Sequence, residues 1–249
     1  MAKAKSNDGI QIQTVTRGTL TAYVVGTTPL ICNCMSAKAR HEILMPDKAS
    51  KRKSASLKHD VMQEFHDSVY TDLSDKAPTL ITGLSAWFKA AMVGATVDMP
   101  DASKAGIGRN VWVRGERVHV YGAPKLLMSV VRSAGMNKTP DMRTRAIIPE
   151  WACAVEIEFA CPQLTAKAVG ELLATAGIVM GVGDWRPEKG SGNYGQFKVV
   201  PQSNRKLQQI MRIGRKQQLQ AMQDPQPHDD ETQKLLAWYE GELQRRGLA

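Results

Sequence analysis

Residues 180–199 read MGVGDWRPEKGSGNYGQFKV, and the glycines among them (Gly181, Gly183, Gly190, Gly192 and Gly195) exclude the interior of a helix or strand for most of that stretch. The segment has to be a long loop, and Gln196-Phe-Lys-Val-Val200 reads as the strand it feeds. Glycine backbone can take positive φ and approach a ligand closely, while Trp185 and Tyr194 supply stacking faces and Arg186 and Lys189 supply charge. That combination suits a nucleic-acid backbone. It is not a dinucleotide fingerprint, whose third glycine would fall at Arg186, and no GxxxxGK[ST] phosphate loop occurs in the sequence.

The rest of the chain alternates strands and helices. Thr19–Val25 is rich in β-branched and aromatic residues and ends in the turn Gly26-Thr-Thr-Pro29, after which Leu30–Cys34 continues as a second strand. A short helix over Ser36–Leu44 and a polar, basic loop over Met45–Ser56 follow. Helical spacing marks Asp60–Tyr70 as amphipathic and Gly83–Ala95 as buried, with Lys89 its lone charge. Val111–Tyr121 alternates around Gly115-Glu116, the pattern of a hairpin, and Thr144–Ile148 and Ala152–Phe159 are further strands. Thr165 is placed to cap a helix over Ala166–Ala176 that Gly177 stops, a basic helix spans Ser203–Met222, and a last amphipathic helix runs through Leu243 beyond the break at Asp224–Pro227. This order implies an α+β fold: an RRM/ferredoxin-like antiparallel sheet with helices on one face, an inserted basic loop and a C-terminal helical tail. The expected organisation is a polar arm at 1–17, a nucleic-acid-binding domain at 18–200 with an insertion at 45–76, and a helical extension at 201–249.

Charge is patchy. The net charge is +9 over 249 residues; residues 37–58 hold seven cations against two acids, and 203–222 hold Arg205, Lys206, Arg212, Arg215 and Lys216 with no acid. Like charge gathered this way is what sequence-independent phosphate binding uses, because each neutralised phosphate releases a counterion. Cys32, Cys34, Cys153 and Cys161 form no CxxC pair and read as free thiols, so neither a metal site nor a cofactor is expected. No run approaches the length of a membrane span, and Met1–Asp8 lacks the apolar core of a secretory signal, so the expected location is the cytoplasm.

Three short pieces, Gly26-Thr-Thr-Pro-Leu-Ile31, Leu84-Ser-Ala-Trp-Phe-Lys-Ala-Ala-Met92 and Met180-Gly-Val-Gly183 with Gly195-Gln-Phe197, resemble landmarks of the RAMP superfamily. Its members are the RNA-recognition-motif-like proteins that build CRISPR effector backbones and process their guide RNAs. The likeness covers 18–200 and has no counterpart for the tail. It implies that Gly181, Gly183, Gly190, Gly192 and Gly195 form a loop against the nucleic-acid backbone, that Lys51, Arg52 and Lys53 lie on a thumb-like insertion, and that Lys89 faces the same groove. The whole chain also resembles an uncharacterised family encoded by tailed phages, on the Asp60–Tyr70 and Arg143–Trp151 segments. That likeness implies a role in phage DNA metabolism or defence within the host cytoplasm, and single-stranded DNA ahead of RNA.

Arg143 and Arg145 fall on one face of their strand and would track phosphates, and Trp185 is the best placed tryptophan for stacking on a base. His41, His59 and His66 are the candidates for a general acid or base, as in guide-processing ribonucleases, but none has a partner at fixed spacing, and all read as surface residues. Asp60, Glu64 and Asp67 read as a solvated helix face. The sequence therefore points to a non-enzymatic binder of single-stranded nucleic acid, largely sequence-independent. Such a protein could assemble as a homo-oligomer or filament along the strand through an apolar stripe of Leu235, Leu236, Trp238, Tyr239 and Leu243. The alternatives are a metal-independent endoribonuclease and an effector-like structural or inhibitory protein that binds protein partners.

Overall fold

The computed structural model describes residues 14–35, 40, 44, 59–100, 102–132, 140–189 and 192–247. Its central pair of strands, β1 (Thr16–Gly26) and β9 (Ala152–Cys161), runs antiparallel from Thr16↔Cys161 to Val25↔Ala152. The period of two explains the two faces: Ala22, Val24, Val155, Ile157 and Phe159 are buried, while Thr19, Thr21, Glu156 and Glu158 point the other way. β10 (Phe197–Val200) pairs with the free side of β1, and β5 (Val111–Val113) and β6 (Arg117–Tyr121) pair with the free side of β9, all antiparallel. Helices α2 (Ser85–Ala95) and α4 (Ala166–Val179) close the inner face, with Phe88 and Phe197 rings 5.8 Å apart beneath them. Thr165 caps α4 by accepting the Ala168 N–H at 3.2 Å. This is the ferredoxin-like arrangement that the element order implied.

Several local expectations are corrected. Val111–Tyr121 is not a hairpin: β5 and β6 both lie along β9 in one direction, and neither pairs with the other. Val113 faces Ile157 and Val120 faces Cys153, so seven steps on one strand oppose four on the other. The excess bulges out at Arg114-Gly115-Glu116, where Gly115 takes φ 73°, its carbonyl accepts the Ser85 hydroxyl at 2.7 Å and the Glu116 carbonyl accepts the Ser85 N–H at 3.1 Å. A turn signal thus marks a bulge, because the strand had to bend where α2 begins. Leu30–Cys34 pairs only at β2 (Leu30–Ile31). Asp60–Tyr70 divides into α1 (Val61–Asp67), capped by Asp60, and the short β3 (Tyr70–Thr71). Ser203–Met222 is two helices, α5 (Arg205–Ile210) and α6 (Arg215–Gln223), broken before Gly214, whose Cα lies against the Pro78 carbonyl where a side chain would not fit. The predicted Ser36–Leu44 helix, apart from Arg40 and Leu44, and the Met45–Ser56 loop lie outside the described residues.

A second sheet, β2-β8-β7, is built around β8 (Pro140–Ile148) and β7 (Lys125–Arg132). One face, with Met128, Met142, Thr144 and Ala146, lies toward α1 and the last helix α7 (Asp230–Arg245). The other face carries Ile31, Leu127, Arg145 and Ile147, and the glycine-rich loop lies on it. The tail is tied in as well. Leu207 and Ile210 of α5 bury Val25, Ala152 and Val200 on the outer face of the main sheet. Gln218 of α6 is fully buried; its carbonyl accepts the Leu80 and Ile81 N–H groups at 2.9 and 3.0 Å, and its amide donates to the Val120 and Gly122 carbonyls at 2.7 and 2.9 Å. The Ile81 bond reaches β4 (Ile81–Leu84), which adds to the β6 edge. Among the described residues no helix is long and apolar enough to cross a membrane.

Candidate nucleic-acid interface

The loop between α4 and β10 has a defined path. Gly181, Gly183 and Gly195 take φ of 66°, 79° and 70°, whereas Gly192 is not in the positive region and Gly190 lies outside the described residues. At Gly183 the need is double, since a Cβ would sit 2.6 Å from Leu30 Cδ1 and 2.7 Å from the Ile31 carbonyl oxygen. The next residue, Asp184, donates its N–H to that same carbonyl at 3.0 Å, which bridges the loop to β2. Trp185 then takes φ 50°, a left-handed conformation that costs a bulky side chain about 1–2 kcal/mol and has to be held by its surroundings.

What holds it is the face of the second sheet that the loop covers. Trp185 and Tyr194 pack on Ile31, Leu127 and Ile147, with their own ring centroids 6.0 Å apart. The Arg145 guanidinium lies 4.4 Å from the Trp185 ring centre, is ion-paired to Asp184, and donates to Ser129 Oγ at 3.1 Å. Arg145 is only 6% exposed, and its Nε has no hydrogen-bond partner. Burial pulls its pKa below the usual value, and Asp184 opposes that shift. Arg143, two residues back on the same face, is largely exposed, with Asp141 Oδ2 at 3.8 Å. Arg186 turns back on the loop, donating to the Gly183 carbonyl at 2.8 Å and to Glu188 at 2.7 Å, and Lys189 points into solvent.

The structure therefore brings Arg143, Arg145, Gly183, Trp185 and Tyr194 into one cluster. Lys89 is half-buried on α2, and no hydrogen bond or ion pair among the described residues joins it to that cluster. Lys51, Arg52, Lys53 and Gly190 lie outside the described residues. Sequence reasoning passed over Asp184 and Ser129. Asp184 carried one signal, an acid in the middle of a loop chosen for its cations; Ser129 carried none.

RNA-recognition-motif proteins stack bases on their sheet, but the outer face of this sheet is closed to that use. One end of it, at Val25, Ala152 and Val200, lies under α5. Toward the other end, Arg17 bonds Glu158 at 2.8 Å and lies over Trp112 at 5.1 Å, and Arg114 reaches Glu156 at 3.3 Å. Carboxylates there would repel a phosphate chain. On the tail, Lys206 meets Glu150 at 3.1 Å and Arg215 meets Asp75 at 3.8 Å, but the exposed Arg205, Arg212 and Lys216 have no ion pair among the described residues, as is also true of Lys76, Lys104, Arg109, Arg117, Lys189 and Lys198 elsewhere on the surface.

Of the three histidines, His59 is placed differently from expectation. His59 is half-buried: Nδ1 lies 2.6 Å from Glu64 Oε1 and Nε2 lies 3.0 Å from Asp141 Oδ1, while Glu64 Oε2 accepts the Thr144 N–H at 3.0 Å. Both ring nitrogens are engaged in joining α1 to β8, and Glu64 is not part of a solvated face. His66 is exposed, and His41 lies outside the described residues. Among the described residues no group of three or more His, Cys, Asp or Glu side chains is placed to hold a metal ion. The apolar stripe of α7 is split, since Leu235, Leu236 and Tyr239 pack inward while Trp238 is 68% exposed at the rim of a cavity of ≈ 290 Å³.

No family model matches the chain, and no curated protein is similar to it. Among solved structures, one chain of the type III-B Cmr-beta complex bound to cognate target RNA is similar over 74% of this chain, with 9% identity and a TM-score of 0.42. This chain spans 59% of that neighbour's length.

Proposed function

We propose that the protein binds single-stranded nucleic acid through its phosphate backbone, without catalysis and with little sequence preference. One observation carries this reading: β10 has an aromatic, glycine-rich loop at one end and an unneutralised cationic segment at the other. The strand is four residues long, so about 10 Å of extended chain separates Phe197 from Val200. Trp185 and Tyr194 precede it, and Arg205, Arg212 and Lys216 follow it with no ion pair among the described residues. Exposed like charges repel one another, and a polyanion relieves that repulsion while releasing its own counterions. Base stacking on aromatic faces adds about 1–3 kcal/mol per base and tolerates any sequence.

The test is fluorescence anisotropy of the full chain with labelled single-stranded DNA, single-stranded RNA and duplex DNA of equal length. The proposal expects a single strand to bind more tightly than the duplex, with affinity rising with strand length, and the DNA and RNA arms assign the polymer. Equal binding to duplex and single strands would reduce the reading to nonspecific charge attraction, and no binding at low salt would refute it.

A further inference from the structure

The cluster beneath the glycine-rich loop has two unmet demands. Arg145, more than nine-tenths buried, has an Nε with no acceptor, although its other nitrogens bond Asp184 and Ser129. A guanidinium offers five donors in a planar fork, and the carboxylate and hydroxyl present leave that edge unused. Directly above it, Trp185 is held at φ 50°. Both demands belong to residues in contact with Asp184 or next to it in the chain.

We propose that Ser129, Arg143 and Arg145 form a site for a strand phosphate, that Asp184 fills the site as a carboxylate stand-in when no ligand is bound, and that phosphate entry releases Trp185 to stack on a base. This rests on the nucleic-acid reading above. Arg143 and Arg145 lie on one face of β8, about 7 Å apart along the strand, and Ser129 stands opposite Arg143 on β7. Arg143 is the exposed member, and its one ion pair among the described residues is a 3.8 Å approach to Asp141, so it meets an incoming phosphate first. Arg145 is the buried member, and a phosphate, with more acceptor oxygens than a carboxylate, can take both the Nε and a terminal nitrogen. The exchange needs only a rotation of the Asp184 side chain, because the backbone bridge from Asp184 N–H to the Ile31 carbonyl is separate. With the ion pair gone, the anchor that ties the residue next to Trp185 to β8 is lost, and with it one reason for Trp185 to remain left-handed, while Arg145 keeps its place and turns its donors to the phosphate.

Two measurements test this. The first uses the unaltered protein: the Arg145 side-chain Nε–H resonance is followed by heteronuclear NMR during titration with inorganic phosphate and, separately, with an oligothymidylate. The site predicts a saturable downfield shift of that one resonance with both. The second compares oligothymidylate affinity and acrylamide quenching of Trp185 in Asp184→Asn, with Trp185→Phe to identify the signal. Removing the competing carboxylate should tighten binding about tenfold and raise quenching in the free protein. If the oligonucleotide binds while the Arg145 resonance stays still and Asp184→Asn binds no tighter, the stand-in role is wrong and the proposed function survives. If phosphate moves the resonance but no oligonucleotide binds, the anion site stands and the nucleic-acid reading fails. If neither ligand has an effect, both fail. Should Asp184→Asn not fold, the resonance titration alone decides.

Discussion

Replacing Gln218 with leucine should be the most destabilising single change in the tail. The side chain has no solvent exposure, and its four hydrogen bonds serve two N–H groups and two carbonyls that lie on separate parts of the chain. Leucine has similar bulk, so the loss is almost wholly one of hydrogen bonding. Each buried group left unsatisfied costs about 1–3 kcal/mol, and N–H groups, with a single donor to place, suffer more fully than carbonyls with a second lone pair. Counting the Leu80 and Ile81 amides at about 1.5–2 kcal/mol each and the two carbonyls together at about 1, the expected loss is about 4–5 kcal/mol. For a chain of 249 residues this is a fall in melting temperature of about 8–20 °C, at about 2–4 °C per kcal/mol. Urea unfolding of the two proteins gives the difference directly, and hydrogen exchange at Leu80 and Ile81 locates it. A loss below about 1 kcal/mol would mean that water or a small shift satisfies the four groups, and that α6 is not fixed to the sheet in the way described.

Thiol reactivity should divide the cysteines. Burial pushes the Cys32 thiol up to about 12 and raises that of Cys153 as well, whereas Cys34 and Cys161 are partly exposed, so a maleimide at pH 8 should label the latter pair first and the former only on unfolding. Rapid labelling of Cys153 in the folded protein would contradict its placement in the core. Gly183→Ala should lower stability by about 1–3 kcal/mol because the position combines positive φ with close contacts, while Gly241→Ala, on a solvent-facing turn of α7 with no atom within 4 Å of the added methyl, should raise it by about 0.5–1 kcal/mol. Thermal melts of both variants check the pair. Trp238→Ala should change stability by less than about 0.5 kcal/mol, since the ring is mostly exposed. If protein copies contact one another along a strand through that ring, the same variant lowers the cooperativity of binding to long oligonucleotides and leaves binding to short ones intact.

The elements that were legible in the sequence are those with one buried face. β9 alternates Val155, Ile157 and Phe159 with Glu156 and Glu158, and its period shows because water lies on one side of it. α4 carries its own start signal in Thr165. β7 was missed because Leu126, Leu127 and Met128 are all buried, one side toward the core and the other beneath the loop, so no alternation survives. β4 leaves no signal of its own and its last two residues, Gly83 and Leu84, fall within the expected helix, since the strand passes into α2 at Leu84 with no side-chain cap. At the candidate site the loop and its aromatic residues were visible as composition. Their partners were not: Arg145 and Asp184 are 39 residues apart, and Gln218 is 137 residues from Ile81, pairings that only the tertiary fold creates. His59 looked like a surface residue because Glu64 and Asp141 approach it from two other elements.

The central claim is that exposed cations after β10 contact phosphates, and the salt dependence of binding tests it most directly. The affinity for a labelled single strand should be measured from 50 to 300 mM salt for the wild type and for Arg205→Gln/Arg212→Gln/Lys216→Gln. Each phosphate contact contributes about 0.7 to the slope of log affinity against log salt for single strands, so losing three should flatten it by about 2. Gln218 and the apolar face of α5 are untouched by these changes, so the fold should hold. A shallower slope of that size in a folded triple variant is the predicted result. An unchanged slope would contradict the account, because the strand would then be held by other groups.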